Sequence, residues 1–173
     1  MRSASVVAAV AAGVLCAGGG TVVMAQRQSS VAPVATWQQP VVTIDDRQAV
    51  AAAQQWNAPF LVRYGTIDPD IDVVRGVTTN DSTTGADVGG KAFPPTLDGD
   101  RITGCVILVH HRHVSDAVLA HEVGHCFGLH HSADPARLMH EVTGAPGSAV
   151  GVTDADRAAL KSLYAGVKPK TRP

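Results

Sequence analysis

Residues 121–131 read His121-Glu122-Val123-Gly124-His125-Cys126-Phe127-Gly128-Leu129-His130-His131. Ser115 can cap a helix running from Asp116 to about Phe127, and Gly128 follows where a left-handed residue can end it. On that helix His121 and His125 are four residues apart, so they lie one above the other on one face. Two imidazole nitrogens placed this way can share one zinc ion at about 2.0–2.1 Å from each. Glu122 lies beside that face, rotated about 60° from His125. It can reach a water on the metal without being a ligand. Gly128 lets the chain turn sharply, and His131 can then return to the same metal. Register with Gly128 favours His131 over its neighbour His130. Three histidines leave a fourth position open, as in catalytic rather than structural zinc sites. The chemistry implied is hydrolysis of an amide. The metal activates water and polarises the carbonyl, and Glu122 moves the proton from the water to the leaving amine.

Composition points to the same stretch. All eight histidines lie between His110 and His140, and the only glutamates are Glu122 and Glu141. Lys plus Arg number 14 against 15 Asp plus Glu, so no strongly basic face is implied and nucleic acid is not an expected partner.

The N-terminus reads as a targeting segment. Met1-Arg2 is a short positive start, Ser3 to Gln26 carries no charge, and Val23-Met24-Ala25 offers small residues for cleavage after Ala25. Residues 1–25 are therefore read as a signal peptide of a secreted protein. The uncharged run is also long enough to span a bilayer, so an N-terminal anchor facing outside is the alternative, and a membrane enters only if the leader is retained. Leu15 before Cys16 argues against a lipid anchor there. Removal of the leader leaves Cys105 and Cys126. An even count in an exported chain favours a disulfide, with two separate buried thiols as the other reading.

Residues 26–40 are polar and read as a linker, and the basic end, 167–173, as a solvated tail. Between them the pattern predicts strands at Val41–Ile44, Phe60–Tyr64, Ile71–Val77 and Ile102–Val109, with Lys91–Pro95 briefly extended and Asp98-Gly99-Asp100 as a turn. Asp45-Asp46 start a helix over Arg47–Trp56, and Thr153 caps a last helix over Asp154–Tyr164, closed by Gly166. Thr78–Gly90 reads as a loop and Ser132–Gly151 as irregular. The order gives an α+β domain over residues 41–166.

The motif at 121–131 resembles that of the metzincin metallopeptidases, particularly the matrixin-like branch of matrix metalloproteinases and their small bacterial relatives. Ser132 after the third histidine, Leu138-Met139, the stretch Ala92-Phe93-Pro94-Pro95, and Thr153-Asp154-Ala155-Asp156 followed by a Leu163-Tyr164 pair are similar to that family too. The resemblance runs from about Val41 to Tyr164. It implies a zincin-like single catalytic domain. Its twisted, mostly parallel sheet has an antiparallel edge strand, and an active-site helix and a C-terminal helix accompany it. It also implies that His121, His125 and His131 hold one catalytic zinc, that Glu122 is the base, and that Met139 lies beneath the site. An extended protein or peptide substrate would pair with the edge strand near Gly89, Gly90, Lys91, Ala92 and Phe93. The chain departs from the family at His140, where an aromatic or small residue is common. It departs again at Lys91, where vertebrate matrixins have a histidine for a second zinc, so that zinc is not expected.

Other groups have plainer readings. His110, His111 and His113 read as loop histidines, and His140 as a cleft-wall residue. Residues 144–149 suggest a flexible wall beside the zinc. Asp68, Asp70 and Asp72, and separately Asp98 and Asp100, could offer oxygens to calcium, although neither set matches a defined loop and Asp favours turns by itself. Two rival readings stay open beside a secreted zinc endopeptidase. One is a zinc-binding module without turnover. The other is a zinc hydrolase acting on a non-peptide amide.

Overall fold

The computed structural model describes residues 35–77, 89–110, 114–141 and 149–168. The leader, the first part of the linker, the loop at 78–88, His111, His113, residues 142–148 and the end of the tail lie outside them. The elements are β1 (Val41–Ile44), α1 (Arg47–Gln54), β2 (Leu61–Tyr64), β3 (Ile71–Arg75), β4 (Gly90–Ala92), β5 (Thr96–Asp98), β6 (Arg101–Val109), α2 (Asp116–Cys126) and α3 (Asp154–Leu163).

The sheet is built around β6, the longest β-branched and apolar run, with Ile102, Cys105, Ile107 and Val109 buried. Strand order is β2-β1-β3-β6-β4, with β5 also on β6. The first four strands in that order run parallel, which requires crossovers such as α1 between β1 and β2. β4 and β5 are antiparallel to β6. The α+β class and the antiparallel edge strand are therefore as expected.

Each helix begins at a side chain that satisfies an otherwise orphan amide. Asp46 accepts from Ala49 N–H, Ser115 from Val118 N–H, and Thr153 forms a reciprocal capping box with Asp156. Trp56 follows α1, and its indole N–H donates to Ala120 O of α2 at 3.0 Å. Edge-on contacts of Phe127 with Trp56 and Phe60 complete the aromatic core.

Three expectations need correction. The extended piece Lys91–Pro95 is not one strand. Pro94 and Pro95 have no N–H to give, pairing stops after β4, and it resumes as β5 with a register shift at Thr96/Leu97. The turn into β6 narrows to Gly99 and Asp100, with Gly99 at φ +63°. The stretch read as a linker belongs to the domain from Ala35 onward. Ala35 to Gln39 are buried, and Thr36 exchanges backbone hydrogen bonds with Asp100 and Ile102. Among the described residues no helix is long and apolar enough to cross a membrane.

Candidate metal centre

α2 carries His121 and His125 on one face, as the four-residue spacing requires. After it, Phe127 caps the helix and Gly128 takes φ +91°. A Cβ on Gly128 would stand 2.5 Å from the Ala35 carbonyl oxygen, so the turn admits little else. That turn returns His131 to the helix face. The three Nε2 atoms form a triangle with sides of 3.1, 3.1 and 3.3 Å.

The triangle fits zinc. Three nitrogens each 2.0–2.1 Å from one tetrahedral ion stand about 3.3 Å apart. The protons are also in the right places. His121 Nδ1 lies 2.7 Å from Leu138 O, and His125 Nδ1 lies 2.8 Å from Leu129 O. A carbonyl only accepts, so both Nδ1 atoms carry hydrogen and both Nε2 atoms present lone pairs. Lone pairs converging at this distance repel unless a cation lies between them. Burial keeps the rings neutral. It pushes His125 down to about 4 and, with smaller contributions from neighbours, lowers His121 and His131 as well. Neutral imidazole is the form that ligates.

Glu122 is buried beside this triangle, with its Oε2 accepting from Ala92 N–H of β4 at 2.6 Å. Burial pushes its carboxyl up to about 7, and the Ala92 N–H opposes that rise. A dication held by the histidines would favour the carboxylate further.

The supporting residues come from distant parts of the chain. Met139 is buried, and its Sδ would lie 2.5 Å from a Cβ on Gly124, the residue before His125. Fully buried Asp156 of α3 accepts from Leu138 N–H, Thr153 N–H and Oγ1, and Arg137 Nε. Leu138 is thereby held at both ends, since its carbonyl accepts from His121. Trp37 Nε1 donates to Cys126 O at 2.8 Å, and the Tyr164 hydroxyl donates to Phe127 O while accepting from Trp37 N–H. Cys105 and Cys126 form a disulfide joining β6 to the end of α2.

Sequence reasoning did not find Trp37, Asp156 or the Ala92 amide as parts of this centre. Thr153 was legible in the sequence as the cap of α3, but Asp156 was not read as its partner, and the hold of Asp156 on Leu138 depends on tertiary contact. The remaining candidates do not join the site. His130 is exposed and outside the triangle, and His140 pairs its backbone with Ser132 near His131. Asp70 accepts from Thr43 N–H and Oγ1, Asp72 shares a hydrogen bond with Asp45, and Asp100 accepts from Gln38. Among the described residues, His121, His125 and His131 are the only group of three or more side chains placed to hold one metal ion.

The Matrixin peptidase family model matches residues 38–165. No curated protein matches the chain significantly. The matched stretch contains the whole sheet, the three helices and the histidine triangle, and so the chain belongs to the matrixin family of metallopeptidases.

Proposed function

We propose that this chain is an exported zinc endopeptidase of the metzincin type, cutting extended segments of protein substrates with Glu122 as the base. The observation that carries the reading is the Nε2 triangle with a buried carboxylate on the adjoining residue. When bound, zinc would polarise the scissile carbonyl and acidify water beside it. The chain's own residues supply the rest. The Leu138 and Leu129 carbonyls keep the His121 and His125 rings aimed. The Glu122 carboxylate takes a proton from the attacking water and returns it to the leaving amine. An extended peptide would lie along the edge of β4 that faces away from β6, adding a strand to the sheet.

Export is supported by the leader at 1–25 and by the Cys105–Cys126 disulfide, a bond that persists in oxidising compartments. N-terminal sequencing of the exported protein should begin at Gln26. A start at Met1 in a membrane fraction would instead make it an anchored, outward-facing domain.

The peptidase reading is tested with unfolded casein. Cleavage should occur at internal bonds, stop on addition of a zinc chelator, and return with zinc. Cleavage indifferent to the chelator would contradict it.

A further inference from the structure

The hydrogen bond that holds Glu122 comes from a particular edge of the sheet. β4 pairs with β6 in the register Gly90↔Val109, Lys91↔Leu108 and Ala92↔Ile107. The bonds from His110 N–H to Gly89 O and from Phe93 N–H to Val106 O fix the alternation. Gly89, Lys91 and Phe93 therefore direct their backbone groups at β6, while Gly90 and Ala92 turn theirs away from it. One of those outward groups, Ala92 N–H, is already taken by Glu122 Oε2 at 2.6 Å.

The approach of strand to helix is close. A Cβ on Gly90 would stand 2.9 Å from Val118 Cγ1, 3.1 Å from Glu122 Cγ and 3.5 Å from Glu122 Oε1. The carboxylate thus lies along β4, with one oxygen near Gly90 and the other on Ala92. Glutamate has three rotatable bonds, and a charge-assisted hydrogen bond to a fixed amide selects one arrangement among them. A peptide strand laid on this edge would otherwise put a carbonyl on Ala92 N–H.

We propose that the Ala92 backbone amide is a positioning group for Glu122, held for the base rather than for the substrate. An incoming peptide strand then registers on Gly90 N–H, Gly90 C=O and Ala92 C=O. The inference rests on the peptidase reading.

Ala92→Pro deletes this N–H and no ladder bond, because the position faces away from β6. On the full-length zinc-loaded protein with a fluorogenic peptide, kcat should fall roughly tenfold to a hundredfold, as for a lost hydrogen bond to a charged group. KM and zinc content should stay unchanged. In a Glu122→Gln background the same substitution should lower kcat no further, since the two groups act as a unit. An ester replacing the Lys91–Ala92 amide removes the N–H without adding a proline ring and should reproduce the loss. An unchanged kcat in either variant overturns the proposal, and so does a raised KM with kcat intact. The Ala92 amide proton gives a readout independent of activity. Bonded to a carboxylate it should resonate downfield and move back in Glu122→Ala; an identical resonance in both proteins overturns the contact. A wild-type protein that binds zinc, keeps the downfield resonance and cleaves nothing overturns the peptidase reading and the kinetic role with it, while the contact stands.

Discussion

At Gly124, one residue before His125, a Cβ would stand 2.5 Å from Met139 Sδ and 2.7 Å from Trp56 Cζ2. Both neighbours are buried, so either must shift within a packed core to admit the methyl group. Gly124→Ala should therefore destabilise the fold by about 1–3 kcal/mol, the usual range for overpacking, measured by denaturant unfolding. Equal stability would mean that Met139 does not pack where the structure has it. Asp156 acts at the same level of detail. Its carboxylate orients Leu138, whose carbonyl orients His121. Asp156→Asn should weaken zinc binding roughly tenfold, as loss of an outer partner of a metal ligand does, read by competition with a chromophoric chelator. Unchanged affinity would remove Asp156 from the support of the centre. The pH dependence follows from its charge. Burial raises the Asp156 carboxyl, but the bonds from Thr153, Leu138 and Arg137 together outweigh burial and hold it below the usual carboxylate range. The unfolded chain then binds the extra proton. The stability Asp156 contributes is present above about pH 4 and is lost as pH falls toward its lowered value. Melting temperature against pH should show that loss in the wild type and a flatter acid limb in Asp156→Asn.

α2 is fastened at its C-terminal end from three directions: Trp37 on the Cys126 carbonyl, Tyr164 on the Phe127 carbonyl, and the disulfide to β6. The disulfide closes a sequence separation of 21 residues. Replacing Cys105 and Cys126 together by Ser should cost about 3 kcal/mol on the loop-entropy account, measured by unfolding in denaturant. A loss near zero would mean that the other two fastenings hold the helix alone. This end of α2 also shows what the sequence could and could not disclose. His121, Glu122 and His125 were legible because helical spacing is local, and Ser115, Thr153 and Gly128 announced their caps and turn. Trp37 was hidden inside a polar stretch, and its partners lie 89 and 127 residues away. No periodicity reports contacts of that reach. β5 was hidden for another reason. Thr96–Asp98 is exposed on every residue, so it has no alternation to read, and it exists because β6 extends past β4 and pairs with it.

Across the chain, three separate regions converge on one centre: the segment before β1, the edge strand β4, and the turn that leads to α3. His131 reaches the face of α2 through the folded turn at Gly128, and an unfolded chain presents no triangle. Zinc should therefore bind with folding and stabilise it. The charges around that ion then decide what it does. Three neutral imidazoles leave the ion's charge unneutralised. On the reading proposed above, the nearby buried carboxylate of Glu122 is the group that moves protons. The most direct test is the rate of peptide cleavage by Glu122→Gln beside the wild type, with bound zinc measured in both. Glu122→Gln should keep one zinc per chain and lose at least about a hundredfold in kcat, the scale of general base catalysis. Equal rates at equal zinc content would contradict the assignment of Glu122 as the base.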